Sequence, residues 1–195
     1  MPNAKMLTID DWVKRLNQIP AQEFEIERVE KFVRENWIHP ETLAPYLFYS
    51  SSHYTRNLIY KSDVFEVLSI CWDIGQVSSI HNHRDQNCWM VAPIGRLKVQ
   101  NFKVLERDAA AGRCHIEESD AYTMDEANPG VVRPEQPVHQ VLNLAEFGER
   151  ATSIHIYSRP YSICEVYLPG RGTYSDVPLH YSSEFGKISP EEKLM

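Results

Sequence analysis

Three histidines carry the most legible chemistry in this chain. His81-Asn82-His83 lies between Gly75 and Cys88, with Gly95 beyond, and Pro137-Val138-His139 precedes Asn143 further downstream. Side chains alternate across a strand with period two, so His81 and His83 project from one face. A third imidazole from a neighbouring strand, His139, then closes a three-nitrogen site for a divalent metal. Neutral imidazole suits iron, zinc, copper and nickel alike, so the nitrogens alone do not name the ion. Three neutral ligands leave the charge of such an ion uncompensated, which favours an anionic chelating substrate, a thiolate or a carboxylate. Binding to the metal lowers a thiol's pKa and holds it as the thiolate. With a redox-active metal, dioxygen can then be brought beside the substrate sulfur; with zinc, the same three nitrogens can activate water for hydrolysis. The other scattered histidines, His39, His53, His115 and His180, read as ordinary hydrogen-bonded residues.

The elements that must position these residues divide into two parts. Within the first fifty residues, Thr8 caps a helix carrying Ile9, Trp12, Val13 and Leu16, with Asp10 and Asp11 in its first turn and Pro20 ending the segment. Phe24, Ile26, Val29, Phe32 and Val33 mark a second helix, and a shorter third one starts at Pro40. From Asn57 onward the chain breaks into short apolar or alternating runs over 64–72, 88–92, 97–104, 131–133, 138–144, 154–157 and 164–168. Turn residues separate them: Pro93-Ile94-Gly95, Ala111-Gly112, Asn128-Pro129-Gly130 and Pro169-Gly170-Arg171-Gly172. Many short strands at regular spacing predict a small β-barrel or sandwich with an N-terminal helical cap.

Composition narrows the partners. At 195 residues the chain is read as one domain able to bury a core without staples. A formal net charge of −7 without a basic stripe argues against nucleic acid. Met1-Pro2-Asn3-Ala4-Lys5-Met6 leads into no apolar run, so neither signal peptide nor membrane span is expected, and a cytoplasmic monomer acting on small molecules is. Cys71, Cys88, Cys114 and Cys164 form no CxxC pair and read as free thiols.

The two-part histidine pattern resembles the cupin signature, with Cys88 standing where many cupins place a metal-binding glutamate. Four further strings extend the likeness: Tyr54-Thr55-Arg56-Asn57-Leu58, Ser78-Ser79-Ile80-His81-Asn82-His83, Ser153-Ile154-His155-Ile156-Tyr157-Ser158 followed by Pro160 and Cys164, and His180-Tyr181-Ser182-Ser183-Glu184-Phe185-Gly186. In content, order and spacing these resemble the cysteine dioxygenases over most of the chain. The resemblance implies a mainly β, cupin-type small β-barrel (jelly-roll sandwich), a single domain over 1–195 with a helical cap over 1–50 and the barrel over 51–195. It implies that His81, His83 and His139 bind Fe(2+), that Arg56 clamps a substrate carboxylate and that Tyr54 assists from two residues away. Tyr157 then presents its hydroxyl to the iron, oriented by His155 and, through it, by Ser153, and a Cys88–Tyr157 thioether crosslink is expected. Singly, an arginine after a tyrosine or a histidine on a strand means little; the joint placement carries the reading.

The activity so implied is oxidation of a small-molecule thiol by O2, both oxygen atoms passing to the sulfur of L-cysteine to give the sulfinic acid. The alternatives are another thiol, 3-mercaptopropionate, mercaptosuccinate or cysteamine, the last disfavoured by Arg56, or a cupin that only binds a metal or ligand. Two departures from the family stand out. Asn82 replaces a familiar aspartate, and Ser158-Arg159-Pro160 replaces paired prolines. A cis bond before a non-proline residue costs about 3 kcal/mol, so altered backbone geometry is expected beside Tyr157. A positive charge near the cavity mouth, favouring a more acidic substrate, is expected from Arg159.

Overall fold

The computed structural model describes residues 4–189; Met1-Pro2-Asn3, on which part of the leaderless expectation rests, lies outside them. In chain order the elements are β1 (Lys5–Leu7), α1 (Ile9–Leu16), α2 (Ile26–Glu35), β2 (Asn36–Ile38), β3 (Thr55–Lys61), β4 (Phe65–Trp72), β5 (Ile80–Asn82) and β6 (Cys88–Ile94). They continue as β7 (Leu97–Asp108), β8 (Arg113–Met124), β9 (Gly130–Val132), β10 (His139–Leu142), β11 (Ala151–Ser158), β12 (Ile163–Leu168), β13 (Thr173–Pro178), β14 (Ser183–Glu184) and β15 (Lys187–Ile188).

Six strands close a hydrogen-bonded ring in the order β10-β5-β12-β13-β8-β7, and seven form an open sheet, β15-β14-β3-β4-β11-β6-β9. The middle of that open sheet is covered on both faces, so β4, β6 and β11 are buried almost from end to end. Phe65, Val67, Trp89, Val91, Ile154 and Ile156 turn toward the cap and pack with Trp12, Leu16, Val29 and Val33. Their strand neighbours Leu68, Ile70, Trp72, Cys88, Met90 and Tyr157 turn the other way and share a core with Val99 and Val141 of the ring. Alternation therefore hands every second residue of β11 to the barrel interior.

The cap forms for local reasons. Thr8 Oγ1 accepts from the Asp11 backbone N–H at 3.1 Å, and Ile9, Trp12, Val13 and Leu16 make one buried stripe. Trp12 Nε1–H donates to the Asn36 carbonyl at 2.9 Å, tying α1 to the end of α2. The expectation of an all-helical cap needs correction: β1 and β2 pair in parallel, from Lys5 opposite Asn36 to Leu7 opposite Ile38. Three-residue strands leave no periodicity to read. The segment starting at Pro40 is a 3₁₀ helix, Pro40–Tyr46, and Pro45 inside it denies the donor an α-helix requires.

The expected strands are present: those over 88–92, 97–104, 154–157 and 164–168 reach further, while that over 138–144 shortens to His139–Leu142. Pro93 is the last-but-one residue of β6, not part of a turn; it falls where the β6–β11 register shifts and β9 pairing has already ended, so no ladder donor is missed. The charged β8 escaped notice because Glu117, Glu118 and Asp120 obscure its alternation. The β6–β7 connection instead turns at Gly95, at φ +67°, where an added Cβ would stand 2.7 Å from the Arg150 carbonyl oxygen. Gly148, at φ +70°, has nothing within 4 Å. Left-handed backbone costs a non-glycine residue about 1–2 kcal/mol and steric overpacking about 1–3 more. Gly95→Ala is therefore expected to lower the unfolding free energy by about 3 kcal/mol in urea titrations and Gly148→Ala by about 1 kcal/mol; equal losses would refute the steric part of this account.

Candidate metal centre and substrate cavity

His81 is the cross-strand partner of His139 in the β5–β10 pairing, and His83 follows on the same face two residues later. Their ligand-capable nitrogens lie within 4.8 Å of one another, and the ring centroids are 4.5–5.1 Å apart. His81 Nδ1 lies 2.9 Å from the Ser79 carbonyl and His139 Nδ1 lies 3.2 Å from the Pro137 carbonyl. A carbonyl only accepts, so both Nδ1 atoms carry the proton and each Nε2 keeps a free lone pair. His139 Nε2 and both nitrogens of His83 are buried without a partner. An unsatisfied buried polar atom costs about 1–3 kcal/mol, and a bound cation removes that cost. Burial lowers His81 to about 4 and takes His83 and His139 well below the usual range, so all three are neutral donors at ordinary pH. The residues fit a divalent metal, and the described residues bring no carboxylate into this group.

The metal-binding strand is braced from its other face. Asn82 points away from the histidines and donates through Nδ2 to Glu165 Oε2 at 2.6 Å and to Tyr167 Oη at 3.0 Å. Glu165, its cross-strand partner, also accepts from Arg107 Nη2 at 2.6 Å and Nη1 at 3.2 Å. Arg107 in turn stacks over Tyr174 at 4.3 Å. Burial alone raises the Glu165 pKa, but the Arg107 and Asn82 hydrogen bonds outweigh it and hold the group ionised. An aspartate at 82 would set two carboxylates against each other, whereas the amide supplies the donor that Glu165 needs.

Beside the histidines lies a cavity of about 90 Å³ whose lining includes Tyr54, Arg56, Trp72, His81, His155, Tyr157 and Tyr161. Arg56 is buried on β3, its Nη1 donating to the His180 carbonyl at 3.3 Å while Nη2 has no partner. The segment around Ser182 straps it down: the Ser182 N–H donates to the Arg56 carbonyl at 2.7 Å. Tyr54 stacks on Trp72 at 4.6 Å. Cys88 is the cross-strand partner of Tyr157, fully buried, with its thiol pushed well above the usual range by burial.

The inward residues of β11 form a chain of hydrogen bonds. Trp72 Nε1–H donates to Ser153 Oγ at 3.0 Å, Ser153 Oγ lies 2.8 Å from His155 Nε2, and Tyr157 Oη lies 3.1 Å from His155 Nδ1. Burial, with His81 and Arg56 nearby, lowers His155 to about 3, so its ring carries a single proton. Indole only donates, so Ser153 accepts from Trp72; with two lone pairs and one hydrogen, the serine oxygen can meet His155 Nε2 in either tautomer.

The structure thus brings together all nine expected site residues: His81, His83, His139, Arg56, Tyr54, Cys88, Ser153, His155 and Tyr157. It corrects one expectation. Arg159 does not line this cavity but a separate groove with Val64, Arg84 and Asn87, so its charge does not face a bound substrate. No cis peptide bond occurs among the described residues; Arg159 instead takes a left-handed φ of 82°. Sequence reasoning missed Trp72, Tyr161, Glu165 and Arg107. Trp72 was reachable, being in phase with Ile70 on β4; the others depend on contacts between distant segments.

A closed ring of strands packed on an open sheet makes this a mainly β protein, with three imidazoles converging among its strands. Residues 2–169 match the family described as cysteine dioxygenase type I. A Danio rerio cysteine dioxygenase type 1 is 26% identical over 187 residues, covering 95% of this chain and 91% of its own. The Bos taurus protein of that name is 29% identical over 193 residues, covering 95% and 92%. Among solved structures, a double-stranded beta-helix domain protein from Klebsiella pneumoniae shares 13% identity, covering 70% of this chain and 95% of its own, at a TM-score of 0.43. The chain belongs to the cysteine dioxygenase type I family and is an oxidoreductase of the dioxygenase class.

Partners that orient ligating histidines typically change metal affinity about 10–100-fold. Glu165→Gln, which keeps the volume but breaks the bidentate pair, is expected to weaken Co(II) binding about tenfold in chelator competition. Unchanged affinity with an intact fold would remove the brace from the site.

Proposed function

We propose that this chain is an iron(II)-dependent thiol dioxygenase that converts L-cysteine and O2 to cysteine sulfinic acid. The observation that carries this reading is Arg56: a buried guanidinium with an unpartnered Nη2, in a small cavity shared with His81 and Tyr157. Keeping a cation there is costly unless an anion arrives to meet it. His81, His83 and His139 are the residues that would hold the iron, His81 and His139 through the lone pairs left free by the Ser79 and Pro137 carbonyls and His83 through a nitrogen with no other partner. Bound there, iron(II) supplies Lewis acidity toward a thiol and redox reactivity toward dioxygen.

The chain's own residues do the rest. Arg56 binds the substrate carboxylate through charge-assisted hydrogen bonds, and Tyr54, braced on Trp72, walls that end. Tyr157 holds its hydroxyl 3.1 Å from His155 Nδ1 and lines the same cavity as Arg56 and His81. Burial of the cavity excludes water and holds the reactants in one geometry, from which most of the rate enhancement derives. Thiol plus dioxygen gives sulfinic acid with no other reactant, so no second substrate site is required.

The same reading includes a thioether between Cys88 Sγ and the ring of Tyr157. Their cross-strand pairing supports it, as does burial that keeps the thiol protonated until oxidation. Two hydrogens leave as the S–C bond forms, with dioxygen as oxidant. One observation favours a second substrate: among the described residues the cavity lining holds no Asp or Glu to meet an ammonium group, which suits a thiol acid without the amine, 3-mercaptopropionate.

The test is oxygen uptake and product mass on adding thiol to the iron-loaded protein. Cysteine is expected to gain two oxygen atoms, matched to the oxygen consumed. A gain only on 3-mercaptopropionate moves the substrate, and no gain on any thiol overturns the reading. Losing a charge-assisted bidentate contact of about 3 kcal/mol means that Arg56→Ala should raise KM for cysteine about 100-fold; unchanged kinetics would sink the clamp. Intact mass should show a species two hydrogens lighter that disappears in Cys88→Ser.

A further inference from the structure

Tyr161 lies just past the end of β11 and has no role in the reading above. Four residues of extended strand span about 13 Å, which would carry position 161 far from Tyr157. The chain instead reverses at Arg159, at φ 82°, with its N–H donating to the Val64 carbonyl at 2.8 Å. A non-glycine residue in the left-handed region, placed before a proline, is costly backbone that persists only where its surroundings enforce it. Its effect here is to return the Tyr161 ring over the site, 4.9 Å from the Tyr157 ring and 5.8 Å from that of His83, both edge-on. Tyr161 is mostly enclosed and lines the same cavity as Arg56 and His81.

The two rings meet beside the hydrogen-bonded chain that runs from Trp72 through Ser153 and His155 to Tyr157. Burial raises both phenols above their ordinary range, so each keeps its hydrogen. A neutral phenol has one hydrogen to donate, and the ring contact with Tyr157 and the shared cavity put that of Tyr161 beside Arg56 and His81.

We propose that Tyr161 is a catalytic residue, its hydroxyl donating a hydrogen bond to the oxygen being transferred to the substrate sulfur. The left-handed turn at Arg159 is the device that sets this donor beside Tyr157. This inference rests on the thiol dioxygenase reading.

The experiment uses Tyr161→Phe, which keeps the ring and its packing. In the iron-loaded enzyme kcat for cysteine is expected to fall about tenfold, with KM within about threefold, as for removal of one donor used mainly during reaction. Affinity of the Zn(II)-loaded protein for cysteine, measured by calorimetry, should stay within about twofold. A readout independent of turnover uses metal-free protein labelled with 3-fluorotyrosine: the ¹⁹F resonance of Tyr157, assigned by its loss in Tyr157→Phe, should shift in Tyr161→Phe. A kcat within twofold of the parent, or an unmoved Tyr157 resonance, overturns the proposal while leaving the dioxygenase reading intact. A parent enzyme that oxidises no thiol overturns both.

Discussion

The structure depends on one pairing, that of β5 with β10. It is one of two links in the six-stranded ring with a single registered pair, and that pair is His81 and His139. The ring at this link and the imidazole cluster therefore depend on the same register. A register slip of one residue would turn His139 to the opposite face, because strand side chains alternate strictly. The ring cannot then close as a hydrogen-bonded ladder and still present three nitrogens to one point. β5 is only three residues long, so its position is weakly fixed by its own ladder. The Asn82–Glu165–Arg107 brace supplies what the short strand lacks, on the face away from the site.

A second constraint is the covered central sheet. With cap helices on one side and the ring on the other, β4, β6 and β11 have no solvent face through their middle. Polar residues on the inward positions of β11 must then satisfy one another. Trp72, Ser153, His155 and Tyr157 do so in series, linked at 3.0, 2.8 and 3.1 Å. Tyr161 reaches the site by an entirely different route, a turn in strained backbone.

These two constraints explain how much the sequence disclosed. His81, His83 and the β11 residues were legible because period two is a local rule, and a run such as Ser153-Ile154-His155-Ile156-Tyr157 shows its face directly. Tyr54 and Arg56 share a face by the same rule, but their place in the site was expected only from the resemblance. Tyr161 was not, since its placement follows from a left-handed φ at Arg159 that no propensity for arginine suggests. Glu165 and Arg107 are 58 residues apart, and only the ring's topology makes them neighbours. The paired β1 and β2 were hidden by brevity. Arg159 shows the opposite failure: its type was noticed and its direction was wrong, because a turn decides where a side chain points more than the adjacent strand does.

Arg56 shows what the arrangement costs. A guanidinium buried with one nitrogen unpaired forfeits about 1–3 kcal/mol, and the fold supports it through the Ser182 strap, the His180 carbonyl and the face of the Tyr181 ring, 5.8 Å from Cζ. Glu66 could neutralise it, yet its carboxylate is engaged by Tyr181 Oη at 2.5 Å. Burial raises the Glu66 pKa, which further weakens it as a competing anion. Tyr181 thus does two things at once: it covers the arginine and occupies the nearest acid. The result is a cavity whose uncompensated charge is positive, next to three neutral nitrogens that can only add to that charge on binding a cation. A ligand carrying negative charge at both ends satisfies Arg56 and the imidazole cluster together, and a ligand lacking either charge leaves one of them unmet.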